Sequence, residues 1–147
     1  MYNAVLFIHL LGATVWTGGH LILACTILPN VFRDKDIAFL SRFESHYEKI
    51  GIPALIIQIL SGLYLAYTLL PDLSQWFDFS HPVSRLVAFK LILLACTFLL
   101  AIDARLRIIP NLSKNNLKSL AYHIIPVTVL SVLFVYVGIS FRTGWLF

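Results

Sequence analysis

The sequence predicts an all-α integral membrane protein, a bundle of four transmembrane helices with both termini on the outer side. Three observations predict it. Of the 147 residues, 59% are hydrophobic and only 12% are charged, whereas a soluble domain carries about a quarter charged residues. Four apolar runs, near 5–28, 50–70, 86–109 and 120–141, each reach the roughly 20 residues that a helix needs to cross a bilayer. The basic residues are also sorted. Arg33, Lys35, Arg42, Lys49, Arg105, Arg107, Lys114 and Lys118 flank one side of such a bundle, and only Arg85 and Arg142 flank the other. The side rich in Lys and Arg is the cytoplasmic one. The net charge of +4 therefore belongs to cytoplasmic loops and not to a nucleic-acid surface. The expectation is one domain over 1–147 in a bacterial inner membrane, with the lipid bilayer as its first partner.

Each element follows from local signals. The first run has no positive leader and exceeds the apolar core of a signal peptide, about 7–15 residues, so it is expected to be retained as a helix. Pro29 is expected to close it, with "NVFRDKD" as a polar connection. Asp36 then suits the N-cap of a helix over 37–70, whose membrane part is 50–70 and which Pro53 is expected to kink. "PDLSQWFDFSHPVS" forms the outer loop, with Trp76, Phe77 and Phe79 at the interface. The third helix covers 86–109, "PNLSKNNLKS" connects, and the fourth covers 120–141. Cys25 and Cys96 lie within apolar runs without C-x-x-C spacing, which reads as small buried core residues and not as a disulfide or zinc site.

The unusual stretch is "FIHLLGATVWTGGHLIL", residues 7–23. Eleven helical residues turn the chain by about 1100°, roughly 20° from three full turns, and advance it by about 16 Å. His9 and His20 thus share a face, together with Trp16. Gly12 and Gly19 flank that stripe, where a neighbouring backbone or a flat cofactor can approach closely. With Pro29 as the helix end, His20 falls about 10–13 Å below the cytoplasmic surface. His123, five residues after Lys118, is expected at a similar depth on the fourth helix. His46 is expected at the headgroup level and His81 in the outer loop. Lys90, in the outer half of the third helix, either snorkels or supplies charge to an outer pocket. Asp103, Arg105 and Arg107 read as an interfacial charge cluster. An imidazole in a bundle can serve only as an interhelical hydrogen-bond partner, but ionisable groups at membrane depth usually mark function.

Two neutral imidazoles at one depth on facing helices suit six-coordinate heme b, with His20 and His123 as the axial pair beside His9, Trp16, Gly12 and Gly19. The function would then be electron transfer involving a quinone or an outer-side redox partner. Imidazole suits copper as well, through His9, His20 and His123, with His46 and His81 less favourably placed. Met1 is the sole methionine, so thioether ligands for Cu(I) are lacking. A third reading is a cofactor-free accessory subunit that uses its glycine-lined faces for assembly, including with copies of itself. H-E-x-x-H, a nucleophile elbow and paired catalytic carboxylates are all absent from the sequence, so hydrolytic chemistry is not indicated.

"HLLGATVWTGGHL", "RFESHYEKIG", "SGLYLAY", "VSRLVAFKLILL" and "VYVGISFRTGW" together resemble the CopD-like family of bacterial inner-membrane proteins named for copper resistance. The resemblance implies a copper-handling membrane protein with a periplasmic copper-binding partner. In length and helix count the chain is also similar to the HemJ family of four-helix, heme-linked proteins of porphyrin synthesis, and Trp16, Gly19 and Lys90 fit that comparison. Departures are visible on both sides. Many CopD-like proteins have about eight spans and metal-binding segments outside the membrane. The HemJ pattern has Pro-Arg-Leu where this chain has Pro29, Asn30 and Val31.

Overall fold

The computed structural model describes residues 1–111, 113 and 116–146. Among these residues, four helices are long and apolar enough to cross a membrane: α1 (Tyr2–Asp34), α2 (Ile37–Leu69), α3 (Pro82–Asn111) and α4 (Leu117–Thr143). Their alternation puts both termini and the 70–81 loop at one end, here the terminal end. The two remaining connections lie at the other, basic end.

The expectation that Pro29 ends the first helix is corrected, because α1 runs on to Asp34. A π-turn over Leu23–Ile27 precedes Pro29 and places it at the first positions of the next α-helical stretch. There a missing N–H costs little. Lys35 ends the helix instead, in the left-handed conformation with φ 55°, its N–H bonded to the Val31 carbonyl at 2.9 Å. Asp36 is the N-cap of α2, accepting the Phe39 N–H at 2.9 Å. α2 continues through Pro53 without interruption. A second π-turn, Ala104–Ile108, lies near the basic end of α3, which closes in a 3₁₀ turn at Pro110.

Packing makes two antiparallel hairpins. α2 lies along α1, α3 lies along α4, and α1 against α4 joins the pairs, whereas among the described residues α2 and α3 share no extended interface. An Arg105–Glu48 ion pair links these last two at the basic end. The apolar core of that end consists of Leu23, Ile27, Leu28, Val31, Leu40, Leu117, Leu120 and Ile124. Farther along, the α1–α4 seam is built of small hydroxyl residues. Thr17 donates to the Ser131 carbonyl at 3.3 Å and Thr128 to the His20 carbonyl at 3.2 Å. Such interfaces suit a lipid environment, where close backbone approach replaces the hydrophobic driving force.

The outer surface is apolar, with Leu10, Leu60 and Leu99 all facing outward. Cys25 and Cys96 belong to that surface. Their expected burial is thereby corrected: an apolar run in lipid does not distinguish core from exterior, because both are greasy.

Candidate functional site

His20 is the central group. It is 8% exposed, and its Nδ1 donates to the Trp16 carbonyl one turn back at 2.9 Å. Tyr47 of α2 donates its hydroxyl to the same carbonyl at 3.0 Å. The Trp16 ring lies 4.2 Å from the imidazole, and the Tyr47 ring stands edge-on at 5.7 Å. A carbonyl only accepts, so Nδ1 carries the proton and Nε2 keeps its lone pair. Nε2 bonds no other described residue.

His9 repeats the arrangement nearer the terminal end. Its Nδ1 lies 2.9 Å from Ser61 Oγ, and the Ser61 hydroxyl donates to the Ile57 carbonyl at 2.6 Å. Ser61 therefore accepts from His9, and here too Nε2 is left with its lone pair. The shared face of His9, Trp16 and His20 comes from one uninterrupted α-helical stretch, Tyr2–Ile22.

The glycines beside this stripe permit close approach, though of protein groups. A Cβ at Gly19 would overlap the Tyr47 ring, and one at Gly51 would sit 3.0 Å from the other edge of that ring. At Gly12 it would lie 3.1 Å from the Ala54 carbonyl, and at Gly62 3.0 Å from the His9 ring. The space that the sequence reading set aside for a flat cofactor next to Gly19 is filled by Tyr47.

His123 is not brought to His20. Its Nδ1 donates to the Ser119 carbonyl at 2.8 Å, and its Nε2 faces Asp103 Oδ2 at 2.7 Å. Asp103 also accepts from Arg107 at 3.0 Å. Both ring nitrogens thus face acceptors. The depths differ as well, because Thr128, five residues beyond His123, is the residue level with the His20 backbone, a separation of about 7 Å along α4. The expected match of depth rested on Pro29 as the helix end, and α1 does not end there.

The remaining sites are peripheral. His46 is exposed, its Nδ1 bonded to the Arg42 carbonyl at 2.7 Å. His81 is exposed at the start of α3, 3.8 Å from Asp78. The Lys90 ammonium lies 5.6 Å over the Phe141 ring, and among the described residues no carboxylate pairs with it. No group of three or more His, Cys, Asp or Glu suited to a metal ion occurs among the described residues. A bis-histidine heme through His20 and His123 does not fit these side chains, since His123 has no free nitrogen and Tyr47 occupies the glycine face. Sequence reasoning missed Tyr47, Ser61 and the His123–Asp103 pair. The signal for Tyr47 was an aromatic hydroxyl one turn before Gly51 in a helix already expected to start at Asp36.

Comparison with known proteins gives one result. A family model described as copper resistance protein D matches residues 38–141. This chain belongs to the CopD family. The match takes in most of α2 and all of α3, and reaches into the last turn of α4. No curated protein and no solved structure matches significantly.

Proposed function

We propose that this CopD-family protein handles copper within the membrane, with His9 and His20 as imidazole ligands offered in single file along α1. The observation that carries this reading is their common preparation. Each donates Nδ1–H to a protein acceptor, and among the described residues none bonds Nε2, which is how metal-ligating histidines are commonly held. Imidazole suits copper. The two nitrogens belong to residues about 16 Å apart along the helix, so they are separate positions and not one chelate. Copper is then cargo met by one protein imidazole at a time, with the remaining coordination supplied by the carrier that delivers it. Tyr47 and Trp16 fix the tautomer and orientation of His20, and Ser61 does the same for His9.

The test is Cu(I) retention. Protein purified in detergent is incubated with Cu(I) under reducing conditions against the chelator bicinchoninate, and bound copper is measured by elemental analysis. Retention by the wild type, reduced in His20→Ala and abolished in His9→Ala/His20→Ala, is the expected result. Full retention by the double variant would overturn the ligand assignment. A purified protein with a Soret band would instead restore heme b and electron transfer. Absence of both metal and colour would leave the accessory-subunit reading.

A further inference from the structure

The geometry points to a binding site for one anionic phospholipid in the groove between α3 and α4 at the terminal end, its phosphate held by Arg85. The groove is an apolar cavity of about 220 Å³, bounded by Phe89, Ile92 and Leu93 of α3 and by Leu133, Tyr136 and Val137 of α4. Arg85 stands on the same α3 stripe, one turn toward the helix start from Phe89. It begins about 5 Å into a helix that starts at Pro82. A headgroup-level cation therefore stands one turn above an apolar slot whose α3 wall, Phe89 to Leu93, spans about 6 Å.

Among the described residues the guanidinium has no counterion. Arg85 Nε is buried without a hydrogen-bond partner, and no described residue pairs with its other nitrogens. Among the described residues the side-chain carboxylates of this end are Asp72 and Asp78 of the adjoining loop, and each is already engaged. Asp78 accepts from the Ser80 hydroxyl at 2.6 Å and the Ser80 N–H at 2.9 Å, and the Ser80 hydroxyl contact holds its carboxyl below the usual range. Asp72 is bonded in the same way by Ser74. Lys90 is turned toward Gly138 and Phe141.

Charge and shape together select the occupant. The groove opens on the lipid-facing surface, where Ile92 is 45% and Tyr136 40% exposed, so its ligand arrives from the bilayer as an acyl chain. A guanidinium with unsatisfied donors recognises phosphate through paired hydrogen bonds. A lipid with net negative charge is favoured over a zwitterionic one, whose own cation opposes Arg85. This inference stands apart from the copper reading and shares no residue with it.

Native mass spectrometry of the full chain, equilibrated with equal amounts of dioleoylphosphatidylglycerol and dioleoylphosphatidylcholine, tests it. The wild type is expected to retain the anionic lipid about fivefold over the zwitterionic one, the scale of one surface cation on an anionic lipid. Arg85→Gln should bring the ratio to parity, and Arg142→Gln, which removes another cation of the same end, should leave it unchanged. Val137→Trp should lower retention of both lipids by filling the groove. Should Arg85→Gln fail to fold, Arg85→Lys keeps the charge and loses the fork, so the ratio should fall without reaching one. Parity in the wild type, or an unchanged ratio in the Arg85 variants, would mean annular lipid only and overturn the assignment.

Discussion

Tyr47 and His20 share one acceptor. The hydroxyl of the first and Nδ1 of the second both donate to the Trp16 carbonyl, at 3.0 and 2.9 Å, and lie 3.4 Å from each other. This carbonyl also takes the regular helical N–H of residue 20. It is a small convergence with a large consequence. α2 is locked to α1 at the position where α1 presents its buried imidazole, so the orientation of His20 depends on the helix pair and not on α1 alone.

Tyr47→Phe separates the hydrogen bond from the ring. The Phe variant keeps the volume beside Gly19 and Gly51 and loses one donor, which should cost about 0.5–1 kcal/mol. Tyr47→Ala leaves a cavity between α1 and α2, which should cost about 3–5 kcal/mol. Unfolding of the two variants in bicelles measures the difference. Equal losses would mean that the ring contributes nothing to the α1–α2 contact.

The α1 glycines should respond in a fixed order. A methyl at Gly19 overlaps the Tyr47 ring, one at Gly12 meets the Ala54 carbonyl at 3.1 Å, and one at Gly18 meets nothing. Replacing Gly by Ala in an open helical position favours the helix by up to about 1 kcal/mol. Gly18→Ala should therefore be neutral or stabilising, Gly12→Ala mildly destabilising and Gly19→Ala the most destabilising. Thermal unfolding of the three in one detergent reads the order, and a Gly19→Ala protein as stable as wild type would contradict the packing described.

Those glycines also mark how far the sequence could be read. The four spans and the Asp36 cap were legible, because hydropathy over about 20 residues and a cap before a helix are local signals. The common face of His9, Trp16 and His20 was legible too, from helical period alone. What fills the glycine face was not, since a gap between helices looks the same whether a phenol or a porphyrin occupies it. The pairing of His123 depended on the absolute depth of α1, and the helix end was misjudged at Pro29. A proline need not stop a membrane helix, since Pro53 and Pro126 lie inside theirs, and at Pro29 a π-turn just before it removed the need for its N–H. Cys25 and Cys96 failed for a different reason: in a membrane protein hydrophobicity does not point inward.

Topology is open to a direct check. Lys and Arg concentrate around the two connections of the basic end, so that end should be cytoplasmic. Alkaline phosphatase fused to the C-terminus should be active, and the same enzyme inserted in the α3–α4 connection should be inactive. The reverse pattern would invert the molecule in the membrane, and would place Arg85 and its groove in the cytoplasmic leaflet.

The last prediction separates buried His20 from half-buried His123. His20 has a free Nε2, whereas His123 has both nitrogens facing oxygen, its Nε2 held 2.7 Å from Asp103. His20→Ala should therefore reduce Cu(I) retention, and because the ring is buried against Trp16 and Tyr47 the cavity it leaves should also cost about 2 kcal/mol or more. His123→Ala should leave Cu(I) retention unchanged and lower stability by about 1 kcal/mol, as should Asp103→Asn. Because these two partners act through one contact, the double variant His123→Ala/Asp103→Asn should lose less than the sum of the single losses, by at least about 0.5 kcal/mol. Unfolding of the four proteins in bicelles gives that coupling energy, and elemental analysis of the same samples gives the copper content. Additive losses, with copper abolished in His123→Ala, would make His123 a ligand and return it to the partnership with His20 that its bond to Asp103 argues against.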